Sequence, residues 1–149
     1  MSRRKIVLIC LIALVMIATI ALYIVESTGI GSFIELPSVE TVTAIEIYQT
    51  TDWQNRSEPI LLTDQDELSS ILTALSTARQ TSYTSYSAAN ETPAEPNYLT
   101  IMLRVGAEGM RRYHLYKEDT VYVEYEGLYR LEKAEFTKIQ EICDNHIHK

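Results

Sequence analysis

The stretch YLTIMLRVGAEGMRRYHLYKEDTVYVEYEGLYRL, residues 98–131, decides the fold of this chain. Apolar and polar residues alternate along it in four runs, and short polar or glycine-containing turns separate the runs. Alternation with a period of two is typical of β-strands that bury one face. Because the turns are short, consecutive strands must lie antiparallel beside one another. The stretch therefore predicts an antiparallel meander with strands at 98–105, 110–116, 121–125 and 128–131.

Two shorter strands are predicted before the meander. Val42–Tyr48 alternates, with Ile45 and Ile47 on one face, and Pro59–Thr63 is a second short apolar run. Both patterns favour strands. The polar segment 50–58 between them is predicted as a turn or loop.

A helix is predicted from Asp64 to about Ala78. Apolar residues recur at helical spacing and form one stripe: Leu68, Ile71, Leu72 and Leu75. Asp64 can accept hydrogen bonds from the free amides of the first turn, and Glu67 three residues later completes a capping-box-like pair. The helix is therefore expected to begin directly after Asp64.

A second helix is predicted over residues 132–148. Its apolar residues lie on one side: Phe136, Ile139, Ile142, Cys143 and Ile147. The order of elements after the N-terminal segment is then β-β-α-β-β-β-β-α. Helices with one apolar stripe and a sheet with one apolar face bury both by packing together. The fold class predicted is α+β, an antiparallel sheet with helices packed on one face.

Residues 79–97 interrupt this pattern. The segment lacks periodicity, carries Pro93 and Pro96, and is nineteen residues long. Loops longer than about 12–15 residues are uncommon in compact domains and are often functional or disordered. The segment is predicted as a long loop, and a groove beside it is the place where a ligand would be sought.

An uninterrupted apolar run, Ile6–Val25, precedes the domain. Twenty residues in a helix span about 30 Å, the thickness of the hydrocarbon core of a bilayer. Arg3, Arg4 and Lys5 stand before the run, and such cations favour the cytoplasmic side. The sequence predicts a single-pass transmembrane helix that contacts the lipid bilayer through Ile6–Val25. The predicted division is a cytoplasmic tail 1–5, the helix 6–25, a spacer 26–40 and an extracytoplasmic domain 41–149.

Two other kinds of N-terminal segment also contain an apolar run. A cleaved signal peptide has an apolar core of about 7–15 residues and an Ala-x-Ala-like site, whereas this run is longer and Val25-Glu26-Ser27 fits such a site poorly. A lipoprotein leader needs a small residue before its cysteine, and Ile9 precedes Cys10. The pattern therefore favours a helix that is retained.

The charge of the chain is divided unequally around this helix. Three of the thirteen Lys and Arg residues precede it and all twenty Asp and Glu residues follow it, which leaves a net of −10 beyond Val25. An acidic domain repels phosphate backbones, so nucleic acid is excluded as a partner. Cys10 and Cys143 fall in different compartments, which excludes a disulfide between them.

Sequence motifs for catalysis are missing from the chain. Serine and threonine do not occur in a nucleophile elbow or a Ser-x-x-Lys pattern, and no glycine-rich phosphate loop is present. His146 and His148 are two residues apart, whereas a helical metal site usually spaces its histidines by four. We therefore expect no catalytic residues, no cofactor, no metal site and no enzymatic activity.

Tyrosine is the one residue in excess, with ten against two Phe and one Trp. Tyrosine offers a large contact area with a polar tip and is enriched at interfaces. The sequence thus indicates an interaction surface made of Tyr83, Tyr86, Tyr113, Tyr116, Tyr122, Tyr125 and Arg112. The alternative interpretation is that tyrosine simply suits half-exposed strands.

Short stretches follow one another in a specific order between residues 36 and 147. They are LPSVE (36–40) leading to IEI (45–47), LTD (62–64), NETP (90–93) leading to NYLTI (97–101), LY (115–116), YVE (122–124) and GLY (127–129). In this order they resemble the domain of unknown function 5301 family. Between Glu124 and Gly127 this chain is shorter than the family's usual loop. The resemblance implies a membrane-attached, extracytoplasmic protein of Gram-positive bacteria, and it implies no activity.

Three functions remain open from the sequence. The first is a binding or interaction module of the cell envelope, with an envelope protein or polymer as partner. The second is an accessory subunit of a neighbouring membrane protein, contacted through the helix. The third is an envelope-acting hydrolase that would rely on scattered carboxylates such as Glu46, Glu124 and Glu126. The tethered position and the missing catalytic motifs favour the first.

Overall fold

The computed structural model describes residues 3–28, 31–82, 93–107 and 109–147. The described helices are α1 (Arg3–Thr28), α2 (Gln65–Ser76) and α3 (Lys133–Ile147), with a short 3-10 helix at Val39–Thr41. The described strands are β1 (Val42–Thr51), β2 (Asn55–Arg56), β3 (Ile60–Leu62), β4 (Arg79–Ser82), β5 (Tyr98–Val105), β6 (Gly109–Lys117), β7 (Val121–Glu124) and β8 (Leu128–Leu131).

The strands form one sheet in which all pairings are antiparallel. Its order is β2-β1-β5-β6-β7-β8-β4, and β3 also pairs with β1. The meander predicted from residues 98–131 is confirmed, with Leu99 opposite Leu115, Leu115 opposite Val123, and Val123 opposite Tyr129. The α+β class with an antiparallel sheet is therefore confirmed.

Helices α2 and α3 cover one face of this sheet. Leu68, Ile71 and Leu75 of α2 and Ile139 of α3 are 0% exposed, as the predicted stripes require. They share one hydrophobic cluster with the sheet residues of a single face, which include Ile47, Ile101, Leu115 and Val123. Ile147, placed on the same stripe by the sequence, is instead 65% exposed because it lies in the last turn of α3.

The structure adds two strands that the sequence did not predict. Arg79–Ser82, predicted as the start of a loop, is strand β4 and pairs with β8. Asn55 and Arg56 form the two-residue strand β2 within the predicted turn. Both are short and polar, so their pairing depends on neighbouring strands and not on an apolar pattern of their own. The rest of the predicted loop is described only from Pro93 onward.

The start of α2 follows the sequence-based prediction in part. Asp64 Oδ1 accepts hydrogen bonds from the amides of Asp66 (3.0 Å) and Glu67 (3.2 Å), so Asp64 is the N-cap. The Glu67 carboxylate, however, lies 2.8 Å from His146 Nε2 of α3. It therefore links the two helices, whereas the sequence placed it in a capping box.

Replacing Asp64 by alanine is expected to lower the free energy of unfolding by about 1 kcal/mol, the usual cost of losing an N-cap side chain. The cause is that two amides of the first turn lose their acceptor. Denaturant unfolding of the full chain measures the change. An Asp64→Asn variant keeps an acceptor and should stay close to wild type, and equal losses in both variants would contradict the capping role.

The segment 31–34, placed in the spacer by the sequence, pairs with β4. Gly31 N donates to Gln80 O (2.7 Å), Gln80 N donates to Ser32 O (2.7 Å), and Ile34 N donates to Ala78 O (3.0 Å). Ile34 is buried in the core cluster. We call residues 31–34 the strap. The strap adds an extra antiparallel segment on the outer side of β4, so this part of the predicted spacer belongs to the domain.

Helix α1 contains the whole apolar run predicted from the sequence. Its side chains are described for residues 10–23, and all of these are exposed. The large apolar ones include Leu14 (71% exposed), Ile17 (68%) and Tyr23 (72%). Within the described part of the chain, no helix has the length and apolarity that crossing a membrane would require.

Candidate functional site

A groove of about 320 Å³ lies where one face of α3 meets one end of the sheet. Four strands contribute to it: the end of β1, the start of β3, the start of β5 and the end of β6. Because the strands alternate in direction, these strand ends lie beside one another at the same end of the sheet. Its volume is at the lower end of the range of about 300–1,000 Å³ that is usual for ligand pockets.

The apolar part of the groove comes from residues that also belong to the core. These are Ile47, Ile60, Leu99, Leu115, Phe136 and Cys143. Leu99 and Leu115 are cross-strand partners, and Leu115 is fully buried while Leu99 is partly buried. The core is thus continuous with the groove, and an apolar group of a ligand would extend it.

Polar side chains surround this apolar part. They are Gln49, Ser57, Asn97, Lys117, Gln140 and Asp144. Lys117 and Asp144 bring one charge of each sign. The carboxamides of Gln49, Asn97 and Gln140 can each donate and accept hydrogen bonds. A few polar groups around an apolar centre are the usual composition of a binding site, because they orient the ligand that the apolar part holds.

A tight turn positions Asn97 at the groove. Asp52 and Trp53 have positive φ angles of 50° and 57°. Trp53 N donates to Pro96 O (3.1 Å), and the Trp53 indole Nε1 donates to Pro93 O (3.3 Å). Asp52 N donates to Asn97 Oδ1 (3.4 Å), which leaves the Asn97 amide nitrogen as a donor.

The thiol of Cys143 is unsuited to nucleophilic chemistry in this groove. Burial, and then the nearby Asp144 carboxylate, raise its pKa to about 11. A thiol with so high a pKa stays protonated near neutral pH, and the thiolate is the reactive form. Cys143 therefore acts as a small apolar residue, as the sequence predicts.

The structure brings the described tyrosines of the predicted surface together in two pairs. Tyr113 is 0% exposed on the helix-facing side and stacks on Tyr125 at 4.5 Å between ring centroids. Tyr116 is 4% exposed and its ring lies 5.7 Å from that of Tyr122. Arg112 is exposed, whereas Tyr125 and Tyr122 are half-buried. Tyr113 therefore contributes packing and not an exposed contact area, and Tyr116 is almost fully buried.

The two remaining tyrosines of that prediction, Tyr83 and Tyr86, lie outside the described residues. Tyr98 and Tyr116 are among the residues that line the groove. Tyr98 was not part of the predicted surface. Its position at the start of β5, beside the predicted loop, was the signal that could have pointed to it.

A buried polar cluster lies on the sheet face opposite the helices. The Thr100 hydroxyl is 3.1 Å from His114 Nδ1, in a hydrogen bond whose donor depends on the ring tautomer. Tyr116 OH donates to Glu124 Oε1 (3.0 Å). His114 pairs with Thr100 and Glu124 in neighbouring strands. Thr100 is 0% exposed and Glu124 is 1% exposed, so a substrate has no direct access to either.

Burial has the largest effect on the pKa of His114. Loss of solvent, with Arg112 and Arg56 nearby, lowers its pKa from 6.5 to about 4, although Glu124 acts in the opposite direction. His114 is therefore neutral near pH 7. A neutral, enclosed histidine bonded to threonine is a structural element of the sheet, and the cluster is not a catalytic site open to substrate.

Metal ligands do not converge in the described part of the chain. No group of three or more His, Cys, Asp or Glu residues there could hold a metal ion. His146 contacts Glu67, and His148 lies outside the described residues. Glu46 and Glu124, two of the carboxylates considered for hydrolysis, are on different strands, and Glu46 forms an ion pair with Arg104.

The comparisons with known proteins bear on the domain and not on its activity. No curated protein and no solved structure matches this chain. A family model, DUF5301, described as "Domain of unknown function (DUF5300)", matches residues 30–130. The matched segment includes the strap and all eight strands except the last residue of β8, and it ends before α3. Because the match covers more than half of the 149 residues, the chain belongs to the DUF5301 family.

Proposed function

We propose that this protein is a membrane-anchored binding module of the bacterial cell envelope, with its domain on the extracytoplasmic side. Its partner in this proposal is a short peptide segment of an envelope protein that carries an apolar side chain beside basic residues. The groove between α3 and the sheet is the observation that carries the proposal, because it joins an apolar centre to a polar rim.

The anchor of this proposal is the run Ile6–Val25 within α1. In water, exposure of the Leu14, Ile17 and Tyr23 side chains would cost free energy, about 25 cal/mol for each Å² of apolar surface. A bilayer removes this cost. The proposal rests on the sequence of this run, because twenty uncharged residues in a helix span about 30 Å, the thickness of the hydrocarbon core. Arg3, Arg4 and Lys5 favour a cytoplasmic N-terminus, as in membrane proteins of Gram-positive bacteria.

A peptide suits the chemistry of the groove rim. A peptide bond presents one donor and one acceptor, and the carboxamides of Gln49, Asn97 and Gln140 can match both. A volume of about 320 Å³ has room for one or two side chains and not for a large cofactor. The apolar contacts of Leu99 and Phe136 favour an aliphatic or aromatic side chain.

Charge favours a basic peptide. The part of the chain beyond Val25 has a net charge of −10, which attracts cations at long range. Asp144 on the rim can pair with a Lys or Arg of the peptide, and Lys117 can pair with a carboxylate. The charge of the whole domain thus selects basic segments, and the groove selects those with an apolar side chain.

Peptide binding by the full chain in lipid nanodiscs tests the proposal. Fluorescence anisotropy compares peptides with one apolar residue between lysines, the same peptides with glutamates, and peptides with the apolar residue replaced by serine. We expect measurable binding of the first set alone. Gln140→Trp places a large side chain in the groove, and it should weaken binding about tenfold or more, equivalent to about 1.4 kcal/mol.

Glu141→Trp is the matched control, because Glu141 is the exposed neighbour of Gln140 on α3 and does not line the groove. It should bind like wild type. Equal loss in both variants would show that bulk on α3, and not occupation of the groove, causes the effect. Absence of binding for all three peptide sets would overturn the proposed partner.

A further inference from the structure

The strap fixes where the domain stands relative to α1. Only residues 29 and 30 separate Thr28, the end of α1, from Gly31, the first residue paired with β4. Three Cα–Cα steps reach at most about 11 Å. The fifteen-residue spacer predicted from the sequence would have reached about 50 Å. If α1 is the proposed anchor, the β4 edge of the sheet is therefore held at the membrane surface.

An aromatic side chain and two arginines share one row at this edge. Phe33 forms an antiparallel bridge with Arg79, and Arg79 lies directly opposite Arg130 of β8. Residues directly opposite in antiparallel strands share a face of the sheet. Phe33 is 55% exposed, both arginines are exposed, and the Arg79 guanidinium lies 4.4 Å from the centroid of the Phe33 ring.

Two features of this arrangement cost free energy without an anion, although the cation–π contact between Arg79 and Phe33 offsets part of that cost. Like charges directly opposite in a sheet destabilise the pair of strands. More than half of Phe33, an apolar residue, is also left exposed to solvent. Both features are favourable beside anionic lipid headgroups, because arginine binds phosphate in a bidentate manner and an apolar ring can enter the boundary between headgroups and acyl chains.

We propose that Phe33, Arg79 and Arg130 form a site for the phosphate of anionic phospholipids at the surface of the membrane. This inference rests on the anchor of the proposed function. The rest of the domain is acidic and is repelled by anionic headgroups, so the patch also sets which edge of the domain faces the bilayer. In this orientation the β4 edge of the sheet faces the membrane. Strand β1, near the opposite edge, lies farther from the membrane.

Depth-dependent fluorescence quenching of the full chain in vesicles tests this site. Trp53, the single tryptophan, is replaced by phenylalanine in every variant, and Phe33→Trp then reports on the patch. Vesicles contain brominated phosphatidylcholine, alone or mixed with brominated phosphatidylglycerol. We expect strong quenching of the tryptophan at position 33, and stronger quenching when phosphatidylglycerol is present.

Leu61→Trp is the matched control. Leu61 is also 55% exposed, but it lies on β3, which pairs with β1 at the far side of the sheet. It should be quenched little. Arg79→Gln and Arg130→Gln should each reduce the docked population in anionic vesicles about fivefold, since one arginine near an anionic surface contributes about 1 kcal/mol.

The outcomes separate the site from the anchor. If alkaline carbonate leaves the chain in the vesicles but positions 33 and 61 are quenched equally, the lipid site is overturned and the anchor stands. If quenching at position 33 does not depend on lipid charge or on either arginine, the phosphate contact is overturned. If carbonate extracts the chain from the vesicles, the anchor and the site both fall.

Discussion

Replacing Ile139 by alanine is expected to lower the free energy of unfolding by about 2–5 kcal/mol, the range found when large aliphatic side chains are truncated in well-packed cores. Ile139 is 0% exposed and joins α3 to the cluster that covers the sheet. The segment matched by the family ends at residue 130, before α3. The substitution therefore measures whether α3 is an integral part of the domain. Denaturant unfolding of the full chain in nanodiscs gives the value.

Lys138→Ala is the control for Ile139→Ala. Lys138 precedes Ile139 on the same helix, and its side chain is 62% exposed in an ion pair with Glu135. An exposed ion pair of this kind contributes at most about 1 kcal/mol. A loss for Ile139→Ala no larger than that of Lys138→Ala would mean that α3 packs only loosely on the sheet. The groove, which takes five lining residues from α3, would then have no fixed wall.

Acidification is expected to destabilise the domain through His114. Its folded-state pKa is about 4 and its ordinary value is 6.5, so between these limits the unfolded chain binds a proton that the folded chain does not. Stability therefore falls as the pH decreases from about 6.5 to about 4. Linkage gives a loss of about 2 kcal/mol between about pH 8 and pH 5 from this one group.

His114→Gln isolates this contribution, because glutamine does not titrate. The free energy of unfolding of wild type and variant is measured at several pH values. The difference between the two should shrink by about 2 kcal/mol as the pH falls to 5. Thr100→Val serves as control, since it removes the hydroxyl 3.1 Å from His114 Nδ1 but keeps the enclosed ring. It should retain the wild-type pH dependence. Parallel curves for wild type and His114→Gln would show that the protonated ring is accommodated in the folded state.

Much of the sheet could be predicted because the alternation that identifies each strand lies within the strand's own sequence. The alternation in residues 98–131 places Ile101, Leu103 and Leu115 correctly in the core. Strand β4 could not be found this way, because RQTS has no apolar pattern and its partner Leu128–Leu131 is about fifty residues away in the chain. The pairing of the strap could not be predicted from the sequence either. Three of its hydrogen bonds to residues 78–80 join backbone groups, which the side-chain sequence does not reveal.

The candidate site was less predictable than the fold. The alternation rule assumes that one face of a strand meets solvent, yet four successive residues of β6, from Tyr113 to Tyr116, are buried. Both faces of β6 are covered there, so tyrosines expected at the surface are enclosed. The groove borders Asn97, at the end of the segment beside which a ligand site was expected, but the rest of its lining could not be predicted. Its residues come from separate elements, and Gln140 and Asp144 look like ordinary exposed positions on a helix.

The place of β4 in the sheet also determines when the domain can be completed during biosynthesis. β4 lies between the strap and β8, so residues 31–34 and 79–82 are made long before Leu128–Leu131 can close the sheet beside them. At about 5–20 residues per second, the 56 residues that follow Leu75, up to Leu131, take about 3–11 s to synthesise. During that time the apolar faces of β1 and α2 lack the meander that buries them. We therefore expect the nascent chain to depend on shielding by a chaperone until its last strands emerge.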